Sequence, residues 1–229
     1  MMANFTTTGI ILIAGNSTRY NKKINKNFEK IDNRYVLTYS LNVFNQSNRI
    51  DDIILVIRLE DIEMLKIILR DFKFKKPLKL VMGGRTRQES VYNALQVSNA
   101  DFVLIHDGAR PLIKKEFIDN LLDQMNDYKG ATIAVKAKDT VKIGNENDEV
   151  IATTNRNNTW IVQTPQCFDR KILLRCHETT PDNLSTDDCT LLERENYKVK
   201  LVNGDYSNIK LTTKEDINII KEYVKTLHK

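Results

Sequence analysis

Hydrophobic residues along the chain gather into short continuous runs, separated by longer stretches in which they recur every three or four positions. Gly9-Ile10-Ile11-Leu12-Ile13-Ala14, Ile53-Ile54-Leu55-Val56-Ile57, Leu78 to Met82, Phe102 to His106 and Ala131 to Val135 are of the first kind. The first two runs are unbroken and predict strands buried on both faces; the other three, each with one polar residue, predict strands as well. Between them Val36 to Phe44, Asp61 to Phe72, Ser90 to Leu95 and Lys114 to Tyr128 carry a helical period, with Ser90 placed to cap its helix. Strand and helix in alternation predict an α/β fold, a mostly parallel sheet with helices on both faces.

Lys136 to Thr159 breaks the alternation. It is polar, rich in Asn and Lys, and has a turn signal at Gly144-Asn145 between two short apolar pairs, which predicts a projecting hairpin. A helix from Asp169, a short one near Asp188, a strand from Val199 to Val202 and an amphipathic helix from Thr213 complete the chain. No repeat, low-complexity tract or linker marks a second domain, so residues 1–229 are expected to form one domain that carries 136–159 as an arm.

Composition narrows the function. With 41% hydrophobic and 28% charged residues but only 8 Gly and 4 Pro, the chain is neither disordered nor fibrous. No apolar run approaches the roughly 18–20 residues of a membrane helix. The start lacks the basic segment and cleavage site of a signal peptide, so the expected location is the cytoplasm, with no membrane partner. Cys167, Cys176 and Cys189 have no CxxC spacing and only 3 His to accompany them, which argues against a disulfide framework or a zinc site. The net charge of +5 is spread along the chain, which suits an anionic small substrate as well as nucleic acid. In the absence of a nucleic-acid motif, no nucleic-acid partner is expected.

In parallel α/β sheets ligands bind beyond the carboxyl ends of the strands. After the first strand stands Ala14-Gly15-Asn16-Ser17-Thr18-Arg19, then Lys22, Lys23 and Lys26: a small-residue turn whose N–H groups could meet an anion, with cations for a polyphosphate, or a solvated basic loop. Neither GxxxxGK[ST] nor GxGxxG is present, which disfavours a P-loop NTPase and a dinucleotide fold. After the third strand comes Gly83-Gly84-Arg85-Thr86-Arg87-Gln88-Glu89-Ser90, where paired glycines permit close backbone approach. After the fourth comes His106-Asp107-Gly108-Ala109-Arg110-Pro111. Asp107 is there a natural ligand for Mg²⁺ shared with phosphates, or one half of an Asp–Arg pair bracing the turn. His106 reads as a hydrogen-bonded packing residue rather than a base. Arg156, Thr164-Pro165-Gln166, Thr186-Asp187-Asp188 and Asn208-Ile209-Lys210 add groups able to bind phosphate or hydroxyls. With no GxSxG and no Cys/His pair, the pattern favours phosphoryl or nucleotidyl transfer by charge stabilisation over covalent catalysis.

The order of these segments resembles the cytidylyltransferases of sugar-alcohol phosphates, most closely the 4-diphosphocytidyl-2-C-methyl-D-erythritol synthase family of the non-mevalonate isoprenoid pathway. GGRTRQESVYNAL resembles that family's GGxxRxxSVxxGL, HDGARP its HDxARP, Asp139-Thr140 the DT of its arm, and WIVQTPQCF its WxxQTPQxF. TDDCTLLE and NIKLTTKED are similar to its TDDxxxxE and NIKxTxxED, so the likeness runs from Ile10 to Asp216.

The resemblance implies a Rossmann-like nucleotidyltransferase fold, CTP and a polyol phosphate as substrates, Mg²⁺, and a homodimer interlocked through the arm. Carried over residue by residue, Arg19 and Lys26 would stabilise charge on the triphosphate. Ala14, Gly15, Gly84, Arg85, Ser90, Asp107 and Gly108 would form the nucleotide pocket, with Asp107 beside the metal. Arg110, Thr140, Arg156, Thr186 and Lys210 would meet the polyol phosphate, Arg156 and Lys210 among the catalytic groups. The family usually reads AAGxGxRM and then PKQ, where this chain has Ser17 for the second glycine and Asn25-Lys26-Asn27 for the triplet. Those changes predict a looser loop with altered nucleotide affinity. A ribitol-5-phosphate cytidylyltransferase, or a relative that binds nucleotide without turnover, are the alternative expectations.

Overall fold

The computed structural model of the protein describes residues 5–15, 20, 25–180, 185 and 187–227. In chain order the strands and helices are β1 (Thr7–Leu12), β2 (Lys30–Ile31), β3 (Arg34–Tyr35), α1 (Val36–Gln46), β4 (Asp52–Ile57), α2 (Ile62–Leu69), β5 (Leu78–Met82), α3 (Arg87–Val97), β6 (Phe102–Asp107) and α4 (Lys115–Asp123). They continue with β7 (Gly130–Lys136), β8 (Lys142–Gly144), β9 (Val150–Thr153), β10 (Trp160–Asp169), α5 (Arg170–Thr179), α6 (Cys189–Arg194), β11 (Val199–Asn203) and α7 (Glu215–Leu227). Among the described residues no helix is long and apolar enough to cross a membrane.

Seven strands form one sheet in the order β11-β7-β10-β6-β1-β4-β5. β4 and β6 flank β1 in parallel, β5 extends β4, β11 extends β7, and β10 runs antiparallel between β6 and β7. Side-chain alternation along β1 shows why both faces are dry. Ile11 and Ile13 join the core under α1, α2 and α4, while Ile10 packs with Val91 of α3, Leu173 of α5 and Leu191 of α6 on the other side.

The chain leaves β1 towards β4 and β5 and then crosses back to β6, so the crevice between the ends of β1 and β6 is the topological switch point. α7 closes that end from outside. Its Ile220 and Val224 pack with Ile31, Ala109, Leu112 and Leu211 in a third, smaller core.

Three differences from the sequence expectations have physical reasons. Helix α3 begins at Arg87 with Thr86 as its cap, accepting from the Glu89 N–H. Ser90 instead lies within the first turn, and its Oγ accepts from the Gly84 N–H and donates to the Thr86 carbonyl. β10 was not expected as a strand, because Pro165 and buried Gln163, Thr164 and Gln166 hide its period. Its register shifts between Val162 and Gln166, where the Thr164-Pro165 peptide is cis. The β2–β3 hairpin was also unexpected. It turns through Asp32 and Asn33, both at positive φ as a two-residue loop requires.

The segment expected as an arm holds β8 and β9, which among the described residues pair only with each other. Ile143, Val150 and Ile151 on it are exposed, Ile151 by 65%.

Candidate active site

The loops beyond β1, β5 and β6 converge at the switch point because two glycines let them touch. A Cβ on Gly83 would stand 2.4 Å from that of Ala14, and one on Gly108 would stand 2.6 Å from Ile13 Cγ2. The Gly83 N–H donates to the Ile57 carbonyl and the Gly108 N–H to that of Leu12. Backbone bonds thus fix both loops to the strand ends.

Asp107, the last residue of β6, is the centre of charge. Lys210 Nζ lies 2.7 Å from its Oδ2, Arg110 Nε 3.9 Å from the same oxygen, and Arg87 Nε 3.7 Å from Oδ1. Burial alone would raise its carboxyl, but Lys210, then Arg87 and Arg110, hold it far below the usual carboxylate range. Burial likewise works against the Arg87 charge. Asp188, at 2.7 Å, and Asp107 more than restore it. Arg110 is lowered, chiefly by burial. Its Nη1 donates to the Asn208 carbonyl at 2.7 Å, while its Nε is buried without a hydrogen-bond partner.

β10 begins beside the end of β7 and joins β6 in antiparallel pairing from Gln166, opposite Ile105, which brings Thr164 against Asp107. Thr164 Oγ1 accepts from the Asp107 N–H at 3.1 Å and donates to His106 Nδ1 at 3.1 Å. The other ring nitrogen of His106 must then donate to the Arg110 carbonyl, at 3.1 Å. His106 is a neutral buried residue with both nitrogens bonded, its pKa pushed down to about 4 chiefly by burial. It is the packing residue that its position on a buried strand predicted. The loop after β11 delivers Lys210: Asn208 Nδ2 donates to the Thr164 carbonyl, and the Leu211 N–H to that of Ala109.

Two cavities meet at Arg87, Asp107 and Lys210. The smaller, about 280 Å³, is lined by Ala14, Gly15, Lys26, Asn27, Gly84, Arg85 and Ser90. The larger, about 570 Å³, extends over β7 and β10 past Arg110, Gln163, Thr164 and Gln166 to Asp187 and Thr190. The first has the small-residue walls and cations that a nucleoside triphosphate needs. The second combines the cations of Arg87, Arg110 and Lys210 with hydroxyl and amide groups, which fits a phosphorylated polyol.

Most residues singled out from sequence thus line one or both cavities, with Gly108 packed behind the wall. Arg19 and Thr186 lie outside the described residues. Thr140 and Arg156 line neither cavity. Both are exposed at the base of the arm, Arg156 reaching only the Lys138 carbonyl.

Arg85 and Arg87 differ in their surroundings. The Arg85 side chain is 92% exposed and pairs with Glu89, whereas Arg87 bridges Asp107 and Asp188. The signal was available, since in GGxxRxxSV the arginine stands three places after the second glycine, which is Arg87 here.

The loose loop expected around Asn25 and Asn27 is not what the described part shows. Both side chains are buried and hydrogen-bonded. The three cysteines are free and buried, and burial raises each of them; Cys189 lines the larger cavity, but that shift keeps it a neutral thiol rather than a thiolate nucleophile. Among the described residues no group of three or more His, Cys, Asp or Glu could hold a metal ion. Among the described residues Asp107 is the one carboxylate lining the smaller cavity. That donor set fits a divalent ion taking most of its ligands from phosphates, and does not fit an all-protein metal cage.

Residues 8–226 match the profile of the 2-C-methyl-D-erythritol 4-phosphate cytidylyltransferase family. The enzyme of that name from Caldanaerobacter subterraneus subsp. tengcongensis is 40% identical over 223 residues, spanning 95% of this chain and 98% of its own length. That from Clostridium botulinum (strain 657 / Type Ba4) is 42% identical over 222 residues, spanning 95% and 97%. The crystal structure of 4-diphosphocytidyl-2C-methyl-D-erythritol synthase from Anaerococcus prevotii DSM 20548 superposes with a TM-score of 0.85 at 34% identity, covering 96% of this chain and 99% of that one.

Proposed function

The chain belongs to the 2-C-methyl-D-erythritol 4-phosphate cytidylyltransferase family, and from that premise we propose how its residues divide the reaction between them. The reaction joins CTP and 2-C-methyl-D-erythritol 4-phosphate into 4-diphosphocytidyl-2-C-methyl-D-erythritol and releases pyrophosphate, in the non-mevalonate isoprenoid pathway. An acceptor phosphate oxygen forms a bond to the α-phosphorus of CTP, the bond to the β-phosphate breaks in line, and its electron pair leaves with pyrophosphate. No protein base is needed, because the attacking phosphate is already largely ionised at neutral pH. Two anions must be brought together and held, so fixed cations supply most of the catalysis.

The observation that carries the assignment is the cluster at the junction of the two cavities, where Arg87, Asp107 and Lys210 face both. CTP enters the smaller cavity, its base end against Ala14, Gly15, Gly84 and Ser90 and its triphosphate towards Lys26. The polyol phosphate enters the larger, its phosphate against Arg110 and Lys210. Lys26 and Lys210 neutralise the transferring group, while Asp107 keeps Arg87, Arg110 and Lys210 from repelling one another. Mg²⁺ would be held by Asp107 together with the phosphates, trading places with Lys210, and would supply charge neutralisation to the triphosphate. Free buried cysteines are in keeping with work in the reducing cytoplasm.

Thr140 and Arg156 act on the site of a second copy. In support, both stand exposed on an arm that also exposes Ile143, Val150 and Ile151, apolar area that an isologous dimer would cover. Pyrophosphate release from CTP, with methylerythritol phosphate and ribitol 5-phosphate as acceptors, tests the reading when run on the parent and on Lys26→Ala. The expected result is turnover with the first acceptor alone and a loss of at least about a hundredfold in kcat for the variant. A variant within tenfold of the parent would make Lys26 a surface lysine.

A further inference from the structure

Lys26 is carried by a single 3-10 turn, Lys26–Phe28, which alone could not fix a long side chain against a phosphate. Its flanking residues anchor the turn itself. Asn25 is 2% and Asn27 3% exposed, and the Asn25 side chain uses its whole hydrogen-bonding capacity. Its Nδ2 donates to the Ile13 carbonyl at 2.7 Å and to Asp61 Oδ2 at 2.8 Å. Its Oδ1 accepts from the Asn27 N–H at 3.1 Å and from Asn27 Nδ2 at 2.8 Å. A carbonyl and a carboxylate can only accept, so the amide has one permitted orientation.

Asp61 opens α2, where an aspartate usually caps the helix by accepting from its first N–H groups. Its side chain makes no such bond. It is turned instead to Asn25 and to Arg58, whose Nε and Nη2 grip the two carboxylate oxygens at 2.7 and 2.9 Å. A helix cap has been given up for this link. Arg58 is the first residue after β4 and Ile13 the first after β1, so the Lys26 turn is tied through one side chain to the ends of two central strands.

We propose that Asn25 is a positioning residue for the transfer step, holding the Lys26 ammonium at the reacting phosphate through the Arg58–Asp61–Asn25 chain of hydrogen bonds. The inference rests on the role assigned to Lys26. It explains how a loop with asparagine on both sides of the lysine keeps its geometry. A donor–acceptor side chain whose every lone pair and proton is engaged restricts the backbone from several directions at once.

Steady-state kinetics of Asn25→Ala, Lys26→Ala and the double variant, with CTP and methylerythritol phosphate each varied, test it. The expected result is that Asn25→Ala lowers kcat at least about tenfold while both KM values stay within about threefold. A group that matters only when charge develops acts on kcat. In the Lys26→Ala background the same change should cost less than about twofold, because the residue it positions is gone. A general loosening of the fold would lower both backgrounds alike and would overturn the proposal, as would Asn25→Ala at parental kcat. Should Asn25→Ala fail to fold, Asn25→Asp keeps the shape and the acceptor but loses the amide donor facing Ile13 and Asp61, and the same pattern is required of it. A Lys26→Ala enzyme with parental kcat sinks the role of Lys26 together with this inference. A slow Lys26→Ala beside an intact Asn25→Ala sinks this inference alone.

Discussion

Asp107 and Arg156 are assigned to one reaction, yet their surroundings differ in kind. Asp107 sits at the end of a central strand, nearly enclosed, with Lys210, Arg87 and Arg110 within 3.9 Å. Arg156 stands exposed on an arm whose strands pair only with each other, its nearest hydrogen-bond acceptor the Lys138 carbonyl at 3.5 Å. Among the described residues the charges of the sheet end pair within one chain, and they are bound into the stability of the fold. The arm is held by local bonds and exposes its apolar side chains, so its groups gain a function only from what it docks against. Changes at the sheet end should therefore cost folding and turnover together, while changes on the arm should cost turnover alone.

Arg87→Ala is expected to have the largest effect. It leaves the carboxylates of Asp107 and Asp188, the latter 2% exposed, short of a cation they share. Breaking such a buried pair costs about 3 kcal/mol, and kcat should fall by at least about a hundredfold. Urea unfolding and pyrophosphate release on the same preparation give both numbers. A variant that is slow but fully stable would show that the sheet end resembles the arm after all.

Acid should find the sheet end next. His106 has its pKa pushed down to about 4 in the folded chain, against the usual value near 6.5, so between those values the unfolded chain binds the extra proton. Stability should be full at pH 7, fall by about 2–3 kcal/mol as pH drops through 6.5 towards 4, and lose nothing more to this residue below that. Asp107, depressed in the same cluster, adds its own loss only below about pH 4. His106→Gln should flatten the slope above pH 4. A slope unchanged by that substitution would place the acid sensitivity elsewhere.

On the arm, Arg156→Ala should lower turnover about tenfold or more with a melting temperature unchanged from the parent, since exposed substitutions rarely move stability by more than about 0.5 kcal/mol. Combined with Lys26→Ala the loss should be repairable. If the two residues serve one composite site from opposite chains, co-refolded heterodimers carry one intact site in two, and half the mixture is heterodimer. Recovery of up to about a quarter of parental activity is then expected. Heterodimers recovered through a tag but inactive would mean that each site is built within one chain.

The same contrast explains what could be read before the structure. Buried parallel strands announce themselves as unbroken apolar runs, and β4 falls where Ile53 to Ile57 predicted; β5 also falls at Leu78 to Met82, but it is an edge strand interrupted by Lys79 and mostly exposed. The switch-point loops were legible because glycine, lysine and arginine collect there for chemical reasons. β10 was not legible: a strand that feeds Gln163, Thr164 and Gln166 into the site looks polar, and Pro165 argues against a central strand. Nor was the hold on Lys26, since Asn25 meets Asp61 across 36 positions. Local pattern carries no trace of a hydrogen bond made by folding.

The smallest expected effect separates two arginines at the sheet end itself. Arg85 contributes to the wall of the smaller cavity, but its side chain is 92% exposed and its N–H is engaged with Glu89 Oε2 at 2.6 Å. The guanidinium stands 3.5 Å from Glu89, a solvent-facing pair four positions apart, worth at most a few tenths of a kcal/mol and screened by salt. Removing the side chain while leaving the backbone bond should change kcat and the KM for CTP by less than about threefold, against the hundredfold expected two residues away at Arg87. If Arg85→Ala instead raised the KM for CTP tenfold with kcat unchanged, the guanidinium would be a ground-state contact recruited when nucleotide binds. The sheet end would then share with the arm a charged side chain that waits in solvent for its partner.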